Sequence, residues 1–253
     1  MVSQVSATVP RIQVSPPTLT SNRQIQLGLL GGFEVTRGGN PDSLPLSSQR
    51  VVAFLAVHAR PLQRVYVAGT LWPDVSEDHA NACLRSALWR LRRRDYSLVE
   101  ITATYLRIQQ CVAIDFLDAS ARARRLLSEG GAFEDDDYDV IAPARELLPD
   151  VYEEWAQIER ERFRQLRLHA LEALCDRLVA CGRYSAAVRA GLAAVEGEPL
   201  RESAQRALIR AHFAEGNPGE ALRQYRSFKR LLHEELGLAP SAAIRTLFPV
   251  ELL

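Results

Sequence analysis

Apolar side chains recur at helical spacing between residues 78 and 94, and this pattern predicts an amphipathic helix. At roughly 100° per residue, the apolar positions fall into one stripe. That stripe consists of Ala80, Leu84, Ala87, Leu88 and Leu91. The opposite face carries His79, Ala82, Arg85, Ser86, Trp89, Arg90 and Arg93. One side of the helix therefore suits a protein core, and the cationic side suits either a DNA major groove or plain solvent.

Shorter elements are predicted ahead of this helix. Residues 25–35 alternate between apolar and polar positions as one strand would, with a bend at Gly31 and Gly32, and residues 44–46 are predicted to form a short pairing strand. Ser47 and Ser48 then have the character of a helix cap, and residues 49–60 follow as a helix with a buried apolar face. This part of the chain is thus predicted to combine a small sheet with helices.

A second short helix over residues 67–72 completes the approach to the basic helix, and a hairpin is predicted after it. The two hairpin strands, residues 96–100 and 104–108, are rich in β-branched and aromatic side chains. Strands, helix, helix, basic helix and hairpin, in this order, predict a winged helix-turn-helix over residues 25–115, with residues 96–108 as the wing. A small α+β fold that binds no DNA is the alternative.

The second half of the chain, residues 116–253, has helical periodicity almost throughout and contains an internal repeat. At an offset of 34 residues, Ala170, Leu174, Ala180, Gly182 and Ala187 recur as Ala204, Leu208, Ala214, Gly216 and Ala221. Small residues at helix contacts and glycine in the turn are typical of tetratricopeptide repeats, which usually bind other proteins. The predicted fold is therefore mainly α with a small α+β part: an N-terminal winged helix-turn-helix followed by a tetratricopeptide-like helical domain.

Charge is distributed unevenly along the 253 residues, although the formal net charge is zero. Residues 1–115 contain 12 basic and 8 acidic residues, a formal charge of +4, and residues 116–253 contain 19 and 23, a charge of −4. This asymmetry favours nucleic acid as the partner of the first half and protein as the partner of the second. Residues 1–24 are rich in Ser, Thr, Pro and Gln and predict a flexible N-terminal arm.

Several function classes lack their sequence signals. The single lysine, Lys229, stands between Phe228 and Arg230, so no phosphate-binding Walker loop is present. The five histidines lack metal-ligand spacing and the four cysteines form no C-x-x-C pair. We therefore expect no enzyme, cofactor or metal. The longest apolar run is too short for a bilayer and no signal peptide is evident, so we expect a cytoplasmic protein without a membrane partner.

Several motifs together resemble one known family. In the first half these are residues 30–35 (LGGFEV), residues 68–74 (AGTLWPD) and the basic helix. In the second half they are residues 155–162 (WAQIERER), 171–174 (LEAL), 182–184 (GRY), 198–202 (EPLRE) and 235–240 (ELGLAP). The chain resembles transcriptional regulators of the Streptomyces antibiotic regulatory protein (SARP) type. These join a winged helix of response-regulator type to a bacterial transcriptional activator domain.

The resemblance implies a sequence-specific transcriptional activator that binds direct repeats in double-stranded promoter DNA. It also implies a homodimer on the DNA and contact with RNA polymerase and its sigma factor. Two departures from the family stand out. Trp89 occupies a position where the family often has serine, so the indole either packs on sugar or a thymine methyl or blocks the usual fit. The stretch before the basic helix is also unusually acidic, with Asp74, Glu77 and Asp78.

The geometry of the basic helix assigns roles to its residues. Base reading is predicted for Arg85, Ser86 and Trp89, with Asn81 as a flanking candidate and His79 on the same face. Phosphate contacts are predicted for Arg90, Arg92, Arg93 and Arg94. The wing residues Thr102, Thr104 and Tyr105 are predicted to contact the neighbouring minor groove or the DNA backbone. Gln49 and Arg50, at a helix N-terminus, are predicted to bind phosphate. Two other functions stay open: a tetratricopeptide adaptor, and a regulator whose helical groove binds a small ligand.

Overall fold

The computed structural model of the protein describes residues 25–93, 98–128, 130–131 and 133–248. The predicted arm over residues 1–24 lies outside the described residues, as do Arg94 and Tyr96. Over the described ranges the chain is mainly helical, with a small sheet region towards the N-terminus. None of the helices found there is both long and apolar enough to cross a membrane.

The strands form two small sheets. In chain order they are β1 Ile25–Gly28, β2 Glu34–Arg37, β3 Asn40–Asp42, β4 Leu62–Gln63, β5 Val99–Ile101, β6 Tyr105–Ile108 and β7 Ala113–Ile114. The first sheet has the order β3-β2-β1-β7, with β1 and β7 parallel, and the second has the order β4-β6-β5. The hairpin predicted after the basic helix is confirmed as the antiparallel pair β5–β6.

The prediction of one strand over residues 25–35 is wrong. The chain reverses direction at Gly31 and Gly32, whose φ angles of 88° and 141° suit glycine, and β1 pairs with β2 instead of continuing into it. The predicted pairing strand over residues 44–46 is also wrong, because β2 pairs with β3 directly after a second glycine turn. The alternation of apolar residues was therefore that of two strands joined by a turn.

Three helices follow the first sheet: α1 Leu46–His58, α2 Arg64–Leu71 and α3 Glu77–Arg93. Their order, with the hairpin after α3, is the order predicted for a winged helix. The predicted cap at Ser47 and Ser48 is wrong, because α1 already begins at Leu46. Ser48 is fully buried, and its hydroxyl donates to the carbonyl of Ala87 in α3 at 3.1 Å. Ser48 thus fixes α1 against α3.

The second half is built from helices. They are α4 Asp115–Leu127, α5 Asp137–Ile141, α6 Glu154–Ala180, α7 Tyr184–Gly197, α8 Glu202–Ala214, α9 Pro218–Leu236 and α10 Ala242–Arg245. The four helices from α6 to α9 pack in sequence: α6 on α7, α7 on α8 and α8 on α9. The turns at Gly182 and Gly216 have φ angles of 72° and 87°. The predicted glycine turns are therefore present at both ends of the 34-residue offset.

The two halves share packing at the end of β1. The backbone nitrogen of Leu148 donates to the carbonyl of Leu29 at 2.9 Å, and Leu30 forms a β-bridge with Leu147. The carboxylate of Asp115 accepts from the backbone nitrogens of Leu29 and Leu30 at 2.8 and 3.2 Å. Leu147 and Leu148 are buried in the same core cluster as β1 and α1. Hydrogen bonds and core packing therefore both cross the predicted boundary at residue 115.

Candidate nucleic-acid interface

One face of α3 forms part of the core of the first half. The five predicted stripe residues are between 0% and 4% exposed: Ala80, Leu84, Ala87, Leu88 and Leu91. They pack where α3 contacts α1 and α2. Burial of a continuous apolar stripe fixes the rotation of a helix about its axis, so the opposite face must point away from the core. The predicted orientation of this helix is confirmed.

The opposite face of α3 is open to solvent. The exposed side chains are those of His79, Arg85, Ser86, Trp89, Arg90 and Arg92, while Asn81 is half-buried. Trp89 is 57% exposed, which is unusual for an indole on a core-packed helix. Arg93 belongs to α3, but its side chain lies outside the described atoms, and Arg94 lies outside the described residues altogether. The base-reading candidates thus share one accessible face.

The charges on this face are largely uncompensated. Within the described part of the chain, Arg85 and Arg92 form no salt bridge or hydrogen bond through their guanidinium groups. The Nη1 atom of Arg90 donates to the hydroxyl of Ser47 in α1 at 2.9 Å. The acidic residues Glu77 and Asp78 lie in the first turn, where they stabilise the positive end of the helix dipole. The cationic groups are therefore concentrated in the later turns of α3.

The hairpin tip carries the predicted wing residues. Thr102, Thr104 and Tyr105 are all exposed. The hydroxyl of Thr102 accepts from the backbone nitrogen of Tyr105 at 2.8 Å and donates to its carbonyl at 3.0 Å, which closes the tip. Arg64, the first residue of α2, donates to the carbonyl of Thr104 through its backbone nitrogen at 2.9 Å. The tip is therefore held beside the start of α2 and has polar groups directed outward.

Gln49 and Arg50, the predicted phosphate-binding pair of α1, are half-buried and have partners within the protein. The amide of Gln49 donates to the carbonyl of Leu44 at 2.8 Å. Arg50 donates to the carboxylate of Glu153 at 2.7 Å and to the carbonyl of Leu71 at 2.6 Å. Its guanidinium also lies over the ring of Trp72, 5.5 Å from the centroid. Arg50 therefore connects the first half to the start of α6.

The helical half matches a known protein family. The family described as bacterial transcriptional activator domain matches residues 116–249. The chain belongs to this family. Its relatives confirm the resemblance to SARP-type regulators. It is 28% identical over 239 residues to the regulatory protein AfsR of Streptomyces coelicolor, an alignment that covers 88% of this chain and 24% of AfsR.

A second relative of the chain is the transcriptional regulatory protein EmbR of Mycobacterium tuberculosis. The two are 25% identical over 249 residues, which cover 90% of this chain and 63% of EmbR. The chain thus spans about a quarter of AfsR and less than two thirds of EmbR. A solved structure of EmbR, in complex with a low affinity phosphopeptide, superposes with a TM-score of 0.65 at 22% identity. The superposition covers 89% of this chain and 64% of the EmbR chain, so the two chains share a common fold.

Two residues that shape the candidate interface, one beside α3 and one beside the hairpin tip, were not predicted from the sequence. Ser47 was predicted to cap a helix, whereas its hydroxyl accepts from Arg90. Arg64 was not singled out, although its side chain donates to the carbonyl of Thr102 at 3.4 Å. The available signal was local in both cases: a hydroxyl and a cation occupy the first turns of α1 and α2. Their partners lie 43 and 38 residues away, beyond the reach of periodicity.

Proposed function

We propose that the chain is a sequence-specific DNA-binding transcriptional regulator of the activator type, with α3 in the major groove of promoter DNA. One observation carries the proposal: the exposed arginines of α3 lie opposite a buried stripe and have few partners of their own. A helix in this state resembles a recognition helix, because it offers guanidinium groups to guanine edges and phosphates without first breaking salt bridges.

The roles within this interface follow from position along the helix. Arg85, Ser86 and Trp89 would read bases, and Arg90, Arg92, Arg93 and Arg94 would contact phosphates. Asn81 would flank the reading set and His79 would lie at its edge. Thr102, Thr104 and Tyr105 would reach the backbone or the neighbouring minor groove. Gln49 and Arg50 are the weakest members of the predicted set, since both already bind groups of the protein.

For the helical half, residues 116–253, we propose a tetratricopeptide-like scaffold that contacts RNA polymerase and its sigma factor and holds two copies on direct-repeat DNA. The repeated turns support it. The backbone nitrogen of Arg183 donates to the carbonyl of Leu178, and that of Asn217 donates to His212, both at 2.9 Å. The relatives are named as regulatory proteins, and we propose no enzymatic activity. Head-to-tail protomers would need half-sites about one DNA turn apart.

A gel-shift titration on the DNA upstream of the chain's own gene tests the proposal. We expect a shift at micromolar protein or below whose affinity falls steeply with salt, because phosphate contacts release counterions. The Arg85→Ala variant should bind this DNA more weakly. Absence of any salt-sensitive shift would contradict DNA binding and favour the protein-adaptor alternative, in which the winged part binds another protein.

A further inference from the structure

A cleft of about 500 Å³ lies on the helical half, bordered by residues 144–147, α6 and the end of α7. Its volume is in the range of small-molecule sites, which are usually about 300–1,000 Å³. Four arginines line it: Arg145, Arg160, Arg164 and Arg167. Three glutamates line it as well, Glu146, Glu161 and Glu196, so the arginines that they do not pair are the ones available to a ligand.

Two of the four arginines have structural partners. Arg164 forms salt bridges with Glu161 at 2.8 Å and with Glu198 at 2.6 Å. Arg160 donates to the carbonyl of Leu147 at 2.9 Å and lies 3.3 Å from the carboxylate of Glu146. These contacts hold the cleft walls together and neutralise both charges. They leave Arg145 and Arg167 as the cations to be explained.

Arg167 is a buried cation without a carboxylate partner. It is only 6% exposed, and within the described ranges it forms no salt bridge. Its Nε atom donates to the carbonyl of Ile141 at 2.7 Å and its Nη2 atom donates to that of Ala142. Both bonds cap the end of α5 and leave Nη1 without a hydrogen-bond partner among the described residues. A buried charge in a protein is normally paired, whereas Arg167 has no carboxylate within salt-bridge distance among the described residues and only the more distant charge of Glu196 acts on it.

The remaining nitrogen of Arg167 lies at the wall of the cleft. Gly197, another cleft-lining residue, packs closely on this atom: a Cβ atom added there would stand only 3.0 Å from Nη1, so the guanidinium can take this position because residue 197 is glycine. Burial lowers the pKa of Arg167, and the charge of the exposed residue Glu196 acts in the opposite direction. Arg145, at the solvent side, is exposed and forms no salt bridge within the described residues.

We propose that this cleft binds the acidic group of a small molecule, a phosphate or a carboxylate, with Arg167 at its base and Arg145 at its mouth. The planar guanidinium fork matches both groups, and a bound anion would supply the partner that Arg167 lacks. The cleft segment is hydrogen-bonded to the first half, since the backbone nitrogen of Gly31 donates to the carbonyl of Glu146 at 2.8 Å. A ligand here would therefore contact the segment that joins the two halves.

Titration calorimetry on the full chain tests this site without DNA, so its outcome is separate from that of the DNA-binding proposal. The probes are inorganic phosphate, pyrophosphate and succinate, at constant ionic strength, which distinguishes phosphate from carboxylate recognition. We expect saturable binding of at least one probe and a matching rise in the melting temperature. Arg167→Gln should weaken binding about tenfold or more, as expected for loss of a charged hydrogen bond.

Two further variants keep the test decisive. Arg145→Gln changes an exposed side chain, so it should leave folding intact and still weaken binding by a few-fold. Arg210→Gln removes an equal charge from a surface pair with Asp176 outside the cleft and should leave binding unchanged. The proposal is overturned if no probe binds saturably at millimolar concentration. It is equally overturned if Arg145→Gln binds as tightly as Arg210→Gln, whether or not Arg167→Gln folds.

Discussion

The arginines of α3 and those packed around Asp137 in the helical half have opposite surroundings. On α3, Arg85 and Arg92 are exposed and have no carboxylate partner in the described part of the chain. In the helical half, Arg122 and Arg125 both bind the carboxylate of Asp137, whose side chain is fully buried. Arginine side chains thus face solvent without a carboxylate partner on α3, and pair with buried acid around Asp137.

This difference teaches where charge is available for binding. A guanidinium held by a carboxylate must break that pair before it binds phosphate, whereas an unpaired one loses only its water. The pKa of Arg122 is raised above its ordinary value, and the largest cause is its hydrogen bond to Asp136. We therefore expect arginine substitutions on α3 to change DNA binding without changing stability, and substitutions in the paired networks to do the reverse.

The largest effect is expected for Asp137→Asn. This change removes the buried charge that Arg122 and Arg125 share, but both keep carboxylate partners at the surface, so we expect a loss of about 1.5–3 kcal/mol in the free energy of unfolding. Chemical denaturation measures it. Asp135→Asn is the matched control, because Asp135 is exposed and forms a surface pair with Arg183, worth at most about 1 kcal/mol. Equal losses for the two variants would contradict the role assigned to burial.

The Arg85→Ala variant tests the unpaired arginines of α3. We expect it to weaken operator binding by about 1–3 kcal/mol and to relax preference at one base pair, as for loss of a bidentate base contact. The melting temperature should not change, because Arg85 has no partner to lose within the described residues. Binding titrations on operator variants provide the measurement. The control variant Arg223→Ala, which removes an exposed arginine of α9, should bind DNA normally.

The Arg50→Ala variant tests whether Arg50 stabilises the fold through pairs within the protein or binds DNA phosphate. Since Arg50 binds Glu153 and the carbonyl of Leu71, we expect a loss of about 1–2 kcal/mol in unfolding free energy, moderated by partial exposure. The salt dependence of DNA binding should stay the same. A reduced salt slope at unchanged stability would instead restore the phosphate-binding role predicted from the sequence.

Arg93→Ala separates phosphate contact from base reading. We expect similar weakening on all DNA sequences and a decrease of about one unit in the slope of log affinity against log salt. Binding titrations at several salt concentrations, on specific and unrelated DNA, measure both quantities. A loss of preference at one base pair, with an unchanged slope, would show that the assigned roles of Arg93 and Arg85 must be exchanged.

The smallest effect concerns the pH dependence of the paired network. Hydrogen bonding to Arg164 lowers the pKa of Glu161 from 4.5 to about 2 in the folded chain. The pair therefore stabilises the protein above pH 4.5, and its contribution is lost as pH falls towards 2. Glu161 is exposed, so this contribution should be below about 1 kcal/mol. Glu161→Gln should flatten the stability curve over this range, and an unchanged curve would argue against the pair.

Local patterns predicted much of the candidate interface. The orientation of α3 followed from five apolar positions, because burial of a helical stripe depends on neighbours three and four residues away. The same holds for the hairpin and for the glycine turns of the helical half. The double glycine at residues 31 and 32 was more ambiguous, since apolar alternation is similar in one bent strand and in two strands joined by a turn.

Contacts between distant residues could not be predicted in this way. Arg50 and Glu153 are 103 residues apart, and the sequence around either residue does not indicate that the two form a pair. The same is true of Arg167, whose carbonyl partner Ile141 lies 26 residues earlier. The local sequence of an arginine in a charged helix is similar whether its side chain is exposed, paired with a carboxylate or buried. Only the fold distinguishes these states, and it decides which cations are available to a ligand.

Genome-wide footprinting of the tagged chain tests most directly whether the outer face of α3 binds DNA. The Arg85→Ala/Arg93→Ala double variant is the control, expressed at the same level and with the same melting temperature. We predict discrete protected sites for the original chain, including direct repeats, and their loss in the double variant. Protection of the same sites by both proteins would contradict the account, because DNA would then be bound through another surface.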